Sequence, residues 1–322
     1  MDIAVLVLDE VFDLGLAAIL DTISTANALA EESGKQATRF TLRRIGVRQR
    51  VQTSQGLTVP VAVAAHSKAP DVLIVPALGA KTPPTIDKAL ARRDIADAAE
   101  LLRDWSAAGA LVAAACTGTF VVAASALLDG HCATTTWWLA PLFRERFPLV
   151  ELDDSRMVVE SDRFVTAGAA LAHLDLALWV IRRRSPSLAA LTARYLIVDP
   201  RPSQVAYAIP DQLAHSDPVV ESFERWARRH LATRFSLAEA ARHVGTSERT
   251  LARRLQTVLG KTPLSYVQDL RVERAKHLLQ TSDASIEEIA ALVGYGDGVT
   301  LRTLLRRKTG SSVRELRARG QS

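Results

Sequence analysis

The 322-residue sequence predicts an α/β sheet domain followed by an all-α domain with two helix-turn-helix units. Three observations carry this. Up to about residue 184, short apolar runs alternate with amphipathic segments, the order of a sheet with helices on its faces. Beyond about residue 217 the periodicity is wholly helical, and it repeats. Charge divides along the same line: residue 218 onward holds 19 Lys and Arg against 11 Asp and Glu, leaving 21 against 24 upstream. Length favours two cores over one. A composition that is 48% apolar and 23% charged is that of a folded globular chain.

In order along the chain, Ile3 to Leu8 reads as the first strand. The Met1-Asp2-Ile3 start lacks the basic residues of a secretory leader. Leu14 to Ala30 has helical periodicity, Phe40 to Val47 and Val72 to Val75 read as strands, Ile95 to Ala107 as a helix and Leu111 to Ala115 as a strand. Ser106 to Leu128 carries no charge and has the length of a membrane span. It is Ala-rich and broken by Gly109, Thr117, Gly118 and Thr119, so a buried strand, a tight turn and a helix from about Thr119 to Leu127 are expected instead. A long helix from about Ala170 closes at Arg182-Arg183-Arg184-Ser185-Pro186. The expected domains are 1–190, a linker at 191–217 marked by Asp199-Pro200-Arg201-Pro202 and Asp217-Pro218, and 218–322. The two cysteines, Cys116 and Cys132, support neither a disulfide framework nor a metal cluster, and a reducing cytoplasm is the simplest setting. No cofactor and no membrane contact is expected.

The helical part is a repeat. Ser236-Leu237-Ala238-Glu239 and, 49 residues on, Ser285-Ile286-Glu287-Glu288 both read as capping boxes. The stripe Leu237, Ala240, Ala241, Val244 matches Ile286, Ile289, Ala290, Val293, and Gly245 and Gly294 stop these helices. Second helices follow at Glu248 to Leu259 and about Gly298 to Thr309, with Leu251 and Leu255 matching Leu301 and Leu305; Gly260 and Gly310 end them.

A helix braced across the backbone by its neighbour can lie in the major groove. Arg249, Thr250 and Arg253 in the first unit, and Thr300, Arg302, Thr303 and Arg306 in the second, lie opposite the leucine stripe, where base edges are reached. Arg254, Lys261, Arg307 and Lys308 flank them and suit phosphate contacts. The joining helix, about Pro263 to Gln280, spans roughly 27 Å, comparable with the ~34 Å between successive major-groove turns. Double-stranded promoter DNA is the expected partner.

Residues 218 to 318, with SLAEAARHVGTSERTLARRLQTVLGKTPLSYVQDLRVERAKHLL and then SIEEIAALVGYGDGVTLRTLLRRKTGSSVRELR, resemble the AraC/XylS DNA-binding domain. Arg249, Thr250, Arg253, Thr300 and Thr303 fall on family positions that face the bases. Leu301 and Leu305 depart from the aromatics usual there.

In the first domain, strand Leu111 to Ala115 delivers Cys116 into the turn Thr117-Gly118 ahead of a helix. Such an elbow exposes its central side chain at the carboxyl edge of the sheet and near a helix N-terminus, which lowers a thiol pKa and makes Cys116 a nucleophile candidate. The alternative is a small buried core residue. The stretches DVLIVP, AACTGTFVVAASALLDG and ATTTWWLAPLFRERFP resemble the PfpI branch of the class I glutamine-amidotransferase-like superfamily, which implies a flavodoxin-like sheet and, with the tail, a GlxA-type AraC regulator. Thr136 stands where such regulators commonly have histidine, and Asp21 where relatives have glutamate. Thr supplies no general base at neutral pH. The resemblance therefore implies a regulator without catalysis, a cysteine-elbow hydrolase or amidase with an accessory DNA-binding module being the alternative. His131 and His173 read as surface or packing residues. An effector pocket is expected at the sheet's carboxyl edge, lined by Asp13, Asp21, Ala77, Cys116, Thr117, Thr136 and Trp137. Trp137-Trp138 there could cage an amine or amino-acid-like ligand, core packing of both rings being the alternative. Homodimerisation through the first domain is also expected.

Overall fold

The computed structural model describes residues 1–33, 39–64, 67–199, 201, 203–204, 217–309 and 312–318. The chain forms two compact units, Met1–Ala208 and Ile209–Ser322.

The first unit runs β1 (Asp2–Leu6), α1 (Asp13–Glu32), β2 (Thr41–Gly46), β3 (Arg50–Gln52), β4 (Thr58–Pro60), β5 (Ala62–Val63), β6 (Val72–Val75), α2 (Pro83–Leu90), α3 (Arg93–Ala107) and β7 (Leu111–Ala115). It continues with α4 (Gly118–Ala124), β8 (Cys132–Ala133), α5 (Ala140–Arg146), β9 (Glu151–Leu152), β10 (Val158–Ser161), β11 (Phe164–Ala167), α6 (Ala172–Arg184) and α7 (Pro186–Tyr195). Seven strands form one sheet in the order β10-β11-β7-β6-β1-β2-β5. Every neighbouring pair is parallel except the edge pair β10–β11. A parallel sheet must be covered on both faces, which is why its central strands are apolar throughout rather than alternating. In β1, Ile3 and Val5 face the core under α1, α6 and α7, while Ala4 and Leu6 face the core under α2, α3, α4 and α5.

The uncharged Ser106–Leu128 run resolves into the end of α3, β7, a turn and α4. Among the described residues no helix is long and apolar enough to cross a membrane. Gly118 is demanded by the turn, since a Cβ there would lie 2.4 Å from the Val75 carbonyl oxygen and 2.7 Å from that of Pro76.

The sheet domain reaches further than residue 190. α7 continues to Tyr195, and Ser203 and Gln204 are fastened to the first unit: the Gln204 N–H donates to the Ser155 carbonyl at 3.0 Å, its Nε2 donates to the Thr135 carbonyl at 2.9 Å, and its Oε1 accepts from the Ala169 N–H at 3.2 Å. Of the linker expected at 191–217, residues 205–216 lie outside the described residues.

The second unit is α8 (Pro218–Arg229), α9 (Leu237–His243), α10 (Glu248–Leu259), α11 (Pro263–Thr281), α12 (Ile286–Leu292), α13 (Gly298–Thr309) and α14 (Val313–Ala318). α8 is absent from the expectations. Its signals are Asp217, whose carboxylate accepts from the Val219 and Val220 amides, with Pro218 at the first helical position. The repeat is present as expected. Leu251, Leu255, Leu301 and Leu305 are all fully buried. Gly245, Gly260 and Gly294 have φ of 70°, 63° and 78°, the left-handed conformation that a side chain resists; Gly310 lies outside the described residues. The capping box at Ser285 is complete, with Glu288 reaching back to the Ser285 amide. At Ser236 only the forward half forms, from the Glu239 amide to the hydroxyl.

Candidate nucleic-acid interface and the Cys116 elbow

α10 and α13 each bury one leucine face and turn the other outward. Arg249 and Arg253 on α10 and Arg306 and Arg307 on α13 are exposed and have no ion pair among the described residues. Thr250 is half-buried and its hydroxyl accepts from Ser247, the residue that caps α10. Thr300 is exposed, with its hydroxyl donating to Asp297 at 2.9 Å, and Thr303 donates to the Val299 carbonyl in the preceding turn. Arg302 pairs with Glu287 at 3.1 Å, both side chains being more than half exposed. Such a pair is worth at most about 1 kcal/mol and yields readily to a phosphate or a base edge.

Three of the four expected phosphate anchors are engaged within the fold. Arg254 donates to Asp217 at 2.7 Å, tying α10 to the cap of α8. Lys261 and Lys308 both reach the carboxylate of Asp269 at 2.8 Å, so one acid in the middle of α11 gathers the ends of both helix-turn-helix units. In this structure the charge of these three is matched by carboxylates of the same unit. Arg307 is the one of the four without an ion pair among the described residues. A second pin lies alongside. Arg271 of α11, buried, donates to the Thr233 carbonyl at 2.5 Å and stacks on Tyr295 with 5.0 Å between guanidinium and ring centre. Asp269 and Arg271 escaped the sequence reasoning because each is a single charge on a helix, and its partners are fixed only by tertiary packing.

Cys116 does sit at an elbow. Its φ is 55°, a strained value for a residue with a Cβ, and its backbone is held by its own N–H donating to Ala167 and its carbonyl accepting from Thr135 Oγ1 at 2.7 Å. The side chain, however, is only 4% exposed. Burial pushes the thiol up to about 11, against smaller opposing contributions from Thr117 and Thr136. The expected exposure and depressed pKa are corrected on this ground: the short α4 cannot offset removal of the thiolate from water.

The remaining expected pocket residues do not converge on an opening. Ala77, Thr117, Thr136 and Trp137 are buried. Thr117 Oγ1 is locked between the Leu78 N–H and carbonyl, both at 2.8 Å. Trp137 packs edge-on against Trp138 at 5.3 Å between ring centres, core packing rather than a cage. Asp13 turns toward the β3–β4 hairpin, accepting from Ser54 Oγ and the Gln55 amide. Burial raises its pKa, but hydrogen bonds led by Thr53 and Ser54 outweigh it and hold the carboxyl below the usual range. Asp21 is exposed on α1, about 12 Å along the helix from Asp13 at 1.5 Å per residue. His173 is fully buried on α6: its Nδ1–H donates to the Ala170 carbonyl at 2.5 Å and its Nε2 accepts from the Ala77 amide at 3.1 Å. That is a packing histidine, as expected. His131 is half-buried, edge-on to Phe164.

Comparisons agree with both halves. Residues 1–183 match the model of the DJ-1/PfpI family and residues 240–319 that of a helix-turn-helix domain. The HTH-type transcriptional regulator GbdR of Pseudomonas aeruginosa is 27% identical over 299 residues, covering 91% of this chain and 77% of the relative. The HTH-type transcriptional regulator ArgR of the same species is 29% identical over 218 residues, 66% of each. Among solved structures, an AraC family transcriptional regulator from Pseudomonas putida aligns with a TM-score of 0.51 at 20% identity, over 61% of this chain and 98% of that one, a likeness of fold. The chain belongs to the DJ-1/PfpI family, and the helix-turn-helix domain behind its sheet domain gives it the plan of an AraC-family transcriptional regulator.

Proposed function

We propose that the chain regulates transcription by seating α10 and α13 in successive major-groove turns of promoter DNA, with the sheet domain serving effector sensing, homodimerisation or both rather than catalysis. The duplicated unit with unpaired arginines on matching outward faces carries this reading. Arg249, Thr250 and Arg253 read one half-site; Thr300, Arg302, Thr303 and Arg306 read the other. Arg307 is the phosphate anchor, joined by Arg254, Lys261 and Lys308 to the extent that DNA draws them from their carboxylates. Support for a non-catalytic sheet domain comes from the buried, high-pKa thiol, from threonine at 136, and from regulators that match across both domains.

The test is a set of single substitutions assayed on paired half-site duplexes. Arg249→Ala or Arg253→Ala should cost about 1–3 kcal/mol and relax base preference in one half-site only. Arg307→Ala should weaken binding to every sequence alike and make the salt slope shallower by about one. Equal losses on all sequences for all three would refute the division into readers and anchor. A single mass in light scattering, that of the monomer at micromolar chain, would refute homodimerisation.

A further inference from the structure

We propose that the sheet domain binds a carboxylate-bearing small molecule with a compact apolar body in the cleft between β10, α6, α7 and Val198, Asp199 and Arg201. This rests on the effector-sensing reading above and moves the site away from Cys116. The cleft has a volume of about 440 Å³, within the range of small-molecule sites. Its floor is apolar, built from Val158, Leu178 and Val198, and Trp179 forms a flat wall. Arg183 stacks on that ring at 5.1 Å, which fixes its orientation.

Three arginines line the same cleft: Arg156 before β10, Arg182 on α6, and Arg201. Two acids oppose them. Asp175 is already engaged by Arg201 at 2.5 Å, and Asp199 is exposed. Arg156 and Arg182 have no ion pair among the described residues. Arg201 donates through Nη2 to Asp175 and to the Leu171 carbonyl, but its Nε–H is shut off from water and has no acceptor. A buried donor left without an acceptor costs about 1–3 kcal/mol, which a ligand oxygen would recover. Guanidinium groups match a carboxylate in geometry as well as charge. An apolar floor beside partly neutralised charge favours an organic acid over a bare phosphate.

The cleft wall also has a route to regulation. Just past Arg201, Ser203 Oγ donates to the Ser155 carbonyl at 2.8 Å and Gln204 is buried against Thr135 and Ala169. A ligand bridging Arg156, on β10's side, to Arg201 fastens this stretch, which precedes the helical unit in sequence, to the sheet domain.

The experiment is calorimetric titration of the full chain with benzoate and 3-phenylpropionate, with benzamide and inorganic phosphate as controls. Both carboxylates are expected to bind, benzamide is not, and Arg156→Gln and Arg182→Gln, both surface changes, should each weaken carboxylate binding roughly tenfold. Absence of carboxylate binding, or variants that bind like the parent, would overturn the proposal. Phosphate displacing benzoate at equal affinity would overturn its apolar part. Duplex binding is measured on the same samples: intact duplex binding without carboxylate binding rejects the cleft alone, whereas a parent chain that ignores duplex DNA rejects the regulator reading itself.

Discussion

Gly294→Ala is expected to destabilise the helical unit by about 2–5 kcal/mol and to abolish two-half-site DNA binding. The added Cβ would lie 2.3 Å from the Leu231 carbonyl oxygen and 2.7 Å from Arg271 Nη2. The carbonyl is backbone and cannot step aside, so overpacking of about 1–3 kcal/mol adds to about 1–2 kcal/mol for a left-handed alanine. Gly260→Ala isolates the second cost, because Gly260 has a similar φ but open space around its Cβ position. Thermal melting of the helical unit should separate them, with Gly294→Ala lowering the midpoint by at least about 4 °C more than Gly260→Ala. Equal shifts would mean that contact of the Gly294 turn with Leu231 and Arg271 contributes nothing.

Acid should loosen the sheet domain through His173. Burial drives its pKa down to about 4, against a smaller opposing pull from the Ala170 carbonyl. The unfolded chain takes up a proton near pH 6.5 and the folded chain does so only near 4, so stability is complete above pH 6.5 and declines as pH falls towards 4. The loss amounts to roughly 3 kcal/mol over that window. Protonation would also place a second N–H against the Ala77 amide, which now donates to Nε2. His173→Gln should flatten the urea-midpoint dependence between pH 6.5 and 4. An unchanged slope would show that another group governs acid sensitivity.

Local signals made the two helix-turn-helix repeats legible almost to the residue, though not the flanking α8 and α14. α10 and α13 begin and end where the glycines and the leucine spacing place them, because glycines and a 3.6-residue stripe act within one or two turns. The parallel core was legible through apolar runs such as Val72–Val75. The edge pair β10–β11 and the hairpin β3–β4 were not, since short strands are defined by partners far along the chain. The same limit explains the site. The elbow at Cys116 follows from strand, turn and Gly118, but how deeply it is buried depends on Thr135, Thr136 and Ala167, which arrive from elsewhere. Lys261 and Lys308 were readable as charges, while Asp269, which gathers both, could be recognised only once α11 lay between them.

Two outward arginine faces are proposed to grip duplex DNA in register. The most direct measurement of this grip is the affinity of the full chain for its upstream promoter duplex across 50 to 200 mM salt, with heparin as competitor. A steep negative salt slope, a duplex preference that survives heparin, and protection of two tracts one helical turn apart are expected. Salt-insensitive binding, or heparin bound as tightly as the promoter, would contradict it.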